Sequence, residues 1–503
     1  MAVNKNEEFG AVPEGSVIRS RMVQMWFVSA LGKSGGQLLQ IVSLAVLARL
    51  LVPADFGMVA MVMAAIGIAG IFSNMGLSAA TIRAKTLNEA QASSLLILNV
   101  GFGLVTSLVL FMLAPLITHV YQEPRTVELA KILSWSFLLS SLGTQHLALL
   151  RRQLKFGLLA KINLAAIAIG QAVAITLAYQ GWGYWSIAAG MLMSTAASAI
   201  MAWLFNPWRP SKPEWSGALR SMVGFGGYLV IFSLLGYAAL NAHNIIIGAR
   251  YGAEEVGFYS RAFAILTLLM GYITGPMDTV APAALARMTD DSEGYNATYL
   301  QTLSMMLLLT APLSFVCAIA APDIIQLLLG EQWSRSAIIL QILGLAAIPQ
   351  TLCNSSGWLY QSHGDSRSMM LWGIGGWGTL IVLLIMGTSL GIQGVAFAYS
   401  IGMFILVYPC MLLALRKTNL HVSDVLVAIL PIAAPALIAA GLVLWLYVSI
   451  DSWCVLCRLS ATLVGYAIIY LLLLIFLFRQ RALLSEIVQQ FSSKLPKRET
   501  ASS

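Results

Sequence analysis

A lysine inside the first apolar segment is the residue best placed for binding chemistry. Lys33 shares one face of a predicted helix with Ser29, Gln37 and Gln40, because the four follow one another at steps of 4, 4 and 3. At about 1.5 Å rise per residue, Lys33 lies about 6 Å from the predicted midplane, where snorkelling is difficult. An ammonium group there costs roughly 2.5–3.5 kcal/mol, and an anion at about 4 Å and permittivity 20 returns about 4 kcal/mol. The position predicts an anion site; the alternative is a lysine solvated by water or paired with an acid.

A second polar face repeats this spacing in the seventh apolar segment. Ser233, Tyr237, Asn241 and Asn244 also lie at steps of 4, 4 and 3. Lipid would leave such polar groups without hydrogen-bond partners. The two matching faces therefore predict the lining of a hydrated cavity that binds a polar ligand. The alternative is hydrogen bonding between helices within one lobe, that is, within one half of the chain.

Two charged residues of the eighth apolar segment are further candidates. Arg261 lies about 13 Å from the centre of the segment, so it either helps to bind an anion or snorkels outward in a structural role. Asp278 lies in a helix that Gly275-Pro276 and Pro282 are expected to interrupt. An intramembrane acid beside a helix break can bind a cation or a proton. The alternative is an acid that caps the broken helix or pairs with a neighbour.

The amino-acid composition indicates the class of protein that positions these side chains. Of the 503 residues, 59% are hydrophobic and only 10% are charged, whereas soluble domains average about 45–50% apolar and about 25% charged residues. An ordinary soluble enzyme is therefore excluded, and the recurring apolar runs predict an all-α polytopic membrane protein. About fourteen transmembrane helices are predicted, at 22–52, 56–78, 92–118, 126–147, 157–179, 183–205, 217–249, 256–283, 298–320, 336–360, 368–389, 392–415, 425–448 and 453–478.

The basic residues predict the orientation. With a cytoplasmic N-terminus, about 21 of the 29 Lys and Arg residues fall on the cytoplasmic side. Both termini are then cytoplasmic, and the first apolar run is expected to be an uncleaved signal anchor because it lacks a small-residue cleavage site. The basic residues behind the net charge of +8 are thus predicted to lie at the membrane surface, and no nucleic-acid partner is predicted.

An internal sequence repeat divides the predicted spans into two related halves. ARLLVPADFG at 48–57 closes the first span and ARYGAEEVGF at 249–258 closes the seventh, while APLI at 114 and APDI at 321 recur about 207 residues apart. Both halves start on the same membrane side, which predicts two parallel six-helix lobes around a central cavity. The predicted domains are an N-terminal lobe at 1–205, a cytoplasmic linker at 206–216, a C-terminal lobe at 217–415, two further helices at 416–478 and a basic amphipathic cytoplasmic tail at 479–503.

Catalytic and cofactor motifs are absent from the sequence. It contains no phosphate-binding loop, no nucleophile elbow and no HExxH helix, so ATP hydrolysis and the familiar hydrolytic sites have no basis. We therefore predict a transporter without cofactor, metal or catalytic residues. Cys454 and Cys457 form one CxxC without a second pair or a histidine cluster, so they either pair or stay free.

Three motifs resemble a known family. LARLLVPADFG at 47–57, LLRRQLKFGLLA at 149–160 and GEQW at 330–333 are similar to signatures of the polysaccharide transporter family. These are the Wzx-like flippases of the multidrug/oligosaccharidyl-lipid/polysaccharide flippase superfamily. The resemblance implies two six-helix lobes plus two helices, and transfer of undecaprenyl-diphosphate-linked oligosaccharide across the bacterial inner membrane for exopolysaccharide, capsule or O-antigen synthesis.

The residues and the resemblance together predict a mechanism of alternating access. Lys33, with Arg261, would hold the diphosphate, and the polar faces would hold the sugar while the polyprenyl tail stays in the lipid bilayer. Consumption of the product outside, the membrane potential or a counter-moving Na⁺ or H⁺ near Asp278 would drive transfer. A polysaccharide polymerase is an expected partner.

Three alternatives stay open. A peptidoglycan-precursor flippase would share the architecture and a cationic cavity. A multidrug exporter of the same superfamily would favour acids over Lys33, since its substrates are commonly cationic. A membrane glycosyltransferase or polymerase would need a large outer loop with suitably paired carboxylates, and no predicted outer loop exceeds about 20 residues.

Overall fold

Apolar helices form all the regular structure of the described residues. The computed structural model describes residues 35–73, 78, 81–82, 87–213 and 227–477. The helices are α1 Gly35–Leu50, α2 Pro53–Ser73, α3 Glu89–Tyr121, α4 Arg125–Arg152, α5 Phe156–Tyr179, α6 Tyr184–Phe205, α7 Gly227–Tyr251, α8 Ala253–Ala286, α9 Ser292–Ile319, α10 Ala321–Leu328, α11 Ser334–Gly344, α12 Ala347–Ser362, α13 Ser366–Trp372, α14 Gly378–Gly387, α15 Gly391–Ala414, α16 Val422–Ser449 and α17 Val455–Leu472.

Several of these helices can cross a membrane. Within the described ranges, eight helical stretches are long and apolar enough, and nine are if the bent pair of α11 and α12 is one span. A helix suits the bilayer because it satisfies its own backbone hydrogen bonds. The prediction of an all-α, multi-pass protein is confirmed in this coarse form. The number fourteen stays a prediction.

One detail of the predicted spans is wrong, and another predicted span is bent. The helix expected to break near Asp278 runs continuously as α8, although Pro276 and Pro282 lie inside it. Membrane helices tolerate such prolines because neighbouring groups and local adjustments satisfy the freed carbonyls. The segment predicted as one span at 336–360 is two helices, α11 and α12, bent by 55°.

The helical stretch from α13 to α15 folds back on itself. Gly391 has a φ of +77°, a conformation that glycine adopts without steric cost and that permits the reversal. A Cβ atom on Gly387 or on Gly394 would overlap the carbonyl oxygen of the other residue. α14 and α15 therefore form a tight helical hairpin.

The chain divides into two compact units, each with its own core. The first contains the described residues up to Ser260 and Leu328–Gln332, and the second contains the remaining described residues. A core of the first unit lies between α2, α3, α4 and α6 and includes residues such as Val62, Leu133 and Ala188. The core of the second lies between α9, α12, α15, α16 and α17 and includes residues such as Tyr299, Trp358 and Tyr466.

The described part of the predicted linker is non-helical and anchored. Residues 206–213 form no helix, as expected for a segment with three prolines. Trp208 is buried beside Leu87 and Leu149. The Asn206 side-chain amide donates a hydrogen bond to the His146 carbonyl oxygen at 3.0 Å. These contacts attach the start of the linker to the first unit.

Two loops share a backbone feature that relates the sequence halves. Leu154, between α4 and α5, has a φ of +57°, and Gly364, between α12 and α13, has a φ of +65°. Each is followed directly by the N-cap residue of the next helix, Lys155 or Asp365. The two loops therefore turn the chain in a similar way.

Candidate functional site

The polar face predicted on the first span is only partly within the described residues. Lys33 and Ser29 lie outside them. Gln37 is half-buried and Gln40 is exposed, both on α1. The steps along one helix put these two amides on the face that Lys33 would share, so the anion site around Lys33 stays a prediction.

The polar face on α7 packs against α2. The Tyr237 hydroxyl donates a hydrogen bond to the Met63 carbonyl oxygen at 2.7 Å. Gly67, one turn further along α2, lies under the tyrosine, because a Cβ atom there would overlap the hydroxyl oxygen. A residue larger than glycine would displace the Tyr237 side chain from this position.

Contacts further along α7 extend this packing. A Cβ on Gly248 would lie 2.8 Å from the Tyr121 ring of α3 and 3.0 Å from the Met61 side chain of α2. The Tyr121 hydroxyl donates a hydrogen bond to the Met61 carbonyl at 3.1 Å. We call this contact the α2–α7 seam, defined by Met61, Met63 and Gly67 of α2 and Tyr237 and Gly248 of α7.

Two asparagines lie along the same α7 face. The Asn241 side-chain amide donates a hydrogen bond to the Tyr237 carbonyl at 3.0 Å. Asn244 is buried, and among the described residues its side-chain oxygen has no hydrogen-bond donor. Tyr237 thus makes an interhelical hydrogen bond to a helix of the predicted N-terminal lobe, which differs from the expected alternative of hydrogen bonding within one lobe. The role of this face in binding a ligand stays a prediction.

The N-termini of α2 and α8 approach each other through two glycines. A Cβ atom on Gly57 would overlap the Ala253 carbonyl oxygen, and one on Gly257 would overlap the Pro53 carbonyl oxygen. Such close approach of helix backbones requires residues without a side chain. The contact closes one end of the α2–α7 seam.

A motif distant in sequence reaches the same end of the seam. The Gln332 side-chain amide, in GEQW, donates hydrogen bonds to the carbonyl oxygens of Ala48 and Leu51, the second at 3.2 Å. Those carbonyls lie at the C-terminal end of α1, where helix carbonyls lack partners within the helix. In the sequence, GEQW and the segment at 47–57 were recognisable only as separate motifs, and no pattern indicated that they touch.

Arg261 and His243 have different surroundings. Arg261 lies on α8 and is half-buried. His243 is buried on α7, and its ring stacks on the Tyr259 ring with a centroid distance of 4.8 Å. The stacking gives His243 a packing role, and the part of Arg261 in anion binding stays a prediction.

Asp278 has a neutral hydrogen-bond donor. Its carboxylate accepts a hydrogen bond at 2.9 Å from the indole nitrogen of Trp358, a buried residue of α12. The acid is otherwise exposed. This is pairing with a neighbour, the alternative to cation binding. The Thr274 side chain is a second hydrogen-bond partner, and a carboxylate with two such partners still has free lone pairs for a cation. The coupling role stays a prediction.

Comparison with known proteins establishes the family. Residues 46–338, more than half of the chain, match the family described as "Polysaccharide biosynthesis protein". The chain belongs to this family.

Curated relatives of this family member support the assignment. It is 24% identical over 325 residues to the lipopolysaccharide biosynthesis protein WzxC of Escherichia coli K12, which covers 63% of this chain and 65% of WzxC. It is 27% identical over 335 residues to the teichuronic acid biosynthesis protein TuaB of Bacillus subtilis 168, which covers 64% of this chain and 66% of TuaB. The matches therefore span slightly less than two thirds of these relatives.

Solved structures show the fold. The chain superposes on the lipid II flippase MurJ in an inward closed conformation with a TM-score of 0.71 at 15% identity, covering 91% of this chain and 100% of MurJ. An inward-facing MATE multidrug resistance transporter of the MOP superfamily matches with a TM-score of 0.63 at 16% identity, covering 79% of this chain and 98% of the transporter. The family member therefore has the fold of membrane transporters.

Proposed function

We propose that the chain is a flippase that moves undecaprenyl-diphosphate-linked oligosaccharides across the bacterial inner membrane by alternating access. Family membership supports a role in polysaccharide biosynthesis. A further relative, 22% identical over 347 residues, is named the succinoglycan biosynthesis transport protein ExoT of Rhizobium meliloti 1021. The transporter fold and the absence of catalytic motifs in the sequence favour transfer of a finished unit over its synthesis.

The α2–α7 seam is the observation that carries the proposal. It is closed by one hydrogen bond from Tyr237 and by close packing at Gly67 and Gly248. The hydrogen bond can break at low cost, because water replaces it and its net value is only about 1 kcal/mol. Opening would hydrate Tyr237, Asn241 and Asn244 and present them to sugar hydroxyls.

The diphosphate would bind at Lys33. An ammonium group in a low-dielectric site gains more from a dianionic partner than from water-exposed lipid head groups. Gln37 and Gln40, on the following turns of the same face, would donate to sugar or phosphate oxygens. Arg261 would contribute a second positive charge, and Asp278 would hold a cation whose return drives transfer.

Leaflet transfer in proteoliposomes tests the proposal. The purified chain is reconstituted with a fluorescent undecaprenyl-diphosphate oligosaccharide, and loss of outer-leaflet fluorescence on adding a membrane-impermeant quencher reports its distribution. We expect rapid transfer with the parent protein, no transfer with Lys33→Ala and partial transfer with Lys33→Arg, because arginine keeps the charge but not the geometry.

Matched controls make the result decisive. Lys161→Ala removes an exposed lysine of α5 and should leave transfer unchanged. Sugar-chain extension without transfer would show a polymerase instead. Preference for the peptidoglycan precursor or for a cationic drug would favour one of the other two transporters. Parental rates with Lys33→Ala in a correctly inserted protein would refute the anion site.

A further inference from the structure

The loop between α16 and α17 carries a disulfide at the start of a helix. Cys454 is the N-cap residue of α17 and is joined by a disulfide to Cys457, three residues later. Both side chains are exposed. The Cys454 sulfur accepts a hydrogen bond from the Cys457 backbone N–H at 3.2 Å. The sulfur thus occupies the position that an oxygen takes in an ordinary N-cap.

This position favours thiol–disulfide exchange. The helix N-terminus carries a partial positive charge, and the N–H of Cys457 would stabilise a thiolate on Cys454. A stabilised thiolate is a good leaving group. Because both cysteine residues are exposed, an external thiolate can approach Cys457 and displace Cys454. A disulfide buried in a core would lack both properties.

The residue after this disulfide holds the loop to neighbouring helices of the same unit. Arg458 donates from Nε to both carboxylate oxygens of Asp323, at 3.0 and 2.9 Å, and Asp323 is fully buried at the start of α10. The same guanidinium bonds the side chain of Asp451 and, at 3.1 Å, its carbonyl oxygen. It also lies 5.1 Å from the Tyr447 ring centroid. One arginine therefore ties the loop, α16 and α10 together.

The disulfide and Arg458 belong to the same helical turn. The covalent ring from Cys454 to Cys457 fixes the first turn of α17, so it limits the directions in which the next side chain can point. Breaking the ring leaves the turn held by noncovalent contacts only: the N-cap hydrogen bond, the hydrogen bond from the Arg458 backbone N–H to the Cys454 carbonyl at 2.8 Å, and the Arg458 side-chain bonds. Helix ends fray readily, and fraying here would move Arg458 relative to the buried carboxylate of Asp323.

We propose that Cys454–Cys457 is a redox-exchangeable site whose oxidised form fastens the α16–α17 loop through Arg458. The reductant is an external dithiol: one thiolate attacks Cys457, the S–S bond breaks and Cys454 leaves as a thiolate that takes up a proton. The second thiol of the reductant then attacks the mixed disulfide and releases Cys457. Two electrons and two protons pass to the protein, and the reductant leaves as a disulfide.

The charge pattern assigns a compartment to this exchange. In the orientation predicted from the Lys and Arg residues, the α16–α17 loop faces the outside of the inner membrane. Disulfides persist there and are reduced in the cytosol. The partner chemistry is therefore a dithiol carrier protein of the outer compartment, or two molecules of a small thiol such as glutathione, the second of which releases Cys457 from the mixed disulfide. This inference does not depend on the transported substrate.

Redox titration of the full chain in right-side-out vesicles tests the exchange. Glutathione buffers of increasing reduced fraction are applied outside, free thiols are trapped with a maleimide polymer, and mass spectrometry locates the label. We expect both Cys454 and Cys457 to become labelled, and to become protected again when oxidised glutathione is restored. A disulfide that these buffers reduce only after the protein is unfolded would overturn the proposal.

Hydrogen–deuterium exchange tests the mechanical consequence. Backbone exchange of the peptide covering residues 450–458 should become several-fold faster on reduction. The double variant Cys454→Ser/Cys457→Ser keeps an N-cap side chain but has no covalent ring. It should therefore exchange as fast as the reduced parent protein, whatever the redox buffer. Asp323→Asn should speed exchange in both redox states. Equal exchange in the oxidised and reduced parent protein would overturn the link between the disulfide and Arg458.

Discussion

Gly57 and Gly257 occupy the fifth position of α2 and of α8, and each lies against the first residue of the other helix. A Cβ on Gly57 would overlap the Ala253 carbonyl oxygen, and a Cβ on Gly257 would overlap the Pro53 carbonyl oxygen. The two helix starts therefore cross through a locally symmetric contact. The two glycines end the related segments PADFG and AEEVG, so the sequence repeat and the contact coincide.

Replacing either glycine by a larger residue should separate the N-terminal ends of α2 and α8. Gly57→Val places a branched side chain where only backbone fits, so α2 and α8 must separate by the thickness of that side chain. We expect a longer spin-label distance between labels at Val52→Cys and Glu254→Cys, two exposed positions beside the contact. Double electron–electron resonance in detergent measures it.

A matched glycine controls for the mutation itself. Gly101 lies on α3 in open space, since a Cβ atom added there would meet no neighbouring atom within 4 Å. Gly101→Val should therefore leave the label distance unchanged. An unchanged distance in Gly57→Val, with normal behaviour in size-exclusion chromatography, would contradict the close contact.

Gln332 should stabilise the end of α1. Gln332→Ala removes two hydrogen bonds to the Ala48 and Leu51 carbonyls, and we expect the free energy of unfolding to fall by about 1–3 kcal/mol. Gln332→Glu should be worse, because a carboxylate faces two carbonyl oxygens and cannot donate when ionised. Denaturant unfolding in detergent measures both variants.

The control for this change is an exposed amide. Gln180→Ala alters a side chain at the end of α5 that is open to solvent, and such changes are usually within about 0.5 kcal/mol. If Gln332→Ala unfolded at the same denaturant concentration as Gln180→Ala, the contact between GEQW and α1 would contribute nothing to the free energy of unfolding.

The local pattern of hydrophobic residues predicted the helices, but it could not predict contacts between residues distant in the sequence. Apolar runs of bilayer length located most helices because hydrophobicity along a span is a local property. The continuity of α8 through Pro276 and Pro282 depends on neighbouring helices, which a single sequence does not reveal. The same holds for the bend between α11 and α12.

The candidate site shows the same limit. Helical spacing predicted that Tyr237, Asn241 and Asn244 share a face, but not that Tyr237 bonds to Met63 across 174 residues of sequence. Likewise the sequence indicated GEQW as a motif, and only the fold brings Gln332 to α1. An aligned pair of glycines in the two repeats was the one signal that could have pointed to the contact of Gly57 with α8.

An ion pair between two loops should make stability depend on acidity. The Lys417 ammonium group lies 2.9 Å from the Asp365 carboxylate, and its hydrogen bond, with that of the Ser368 backbone, lowers the pKa of Asp365 from 3.8 to about 2. A lowered carboxyl pKa stabilises the fold above the unfolded-state value. That contribution is lost as the pH falls from about 4 to about 2.

Removing Lys417 should weaken the dependence of stability on pH. Because the pair is partly exposed, Lys417→Met should cost at most about 1 kcal/mol near neutral pH, and the difference from the parent should vanish below about pH 2. Denaturant unfolding at several pH values measures it, with Lys212→Met, an exposed lysine of the linker, as control. A difference that persisted unchanged in strong acid would contradict the assigned pair.

Asp278 offers a test of cation coupling that separates charge from packing. Asp278→Asn keeps an oxygen that accepts from the Trp358 indole but removes the negative charge a cation needs. If Asp278 couples transfer to Na⁺ or H⁺, the variant should lose its response to imposed ion gradients while slow, gradient-independent transfer continues. Trp358→Phe removes the neutral donor and leaves the charge, so it should keep the gradient response even if its transfer rate falls. Transfer by Asp278→Asn that stayed as sensitive to gradients as the parent would remove the coupling role and leave Asp278 as the partner of Trp358.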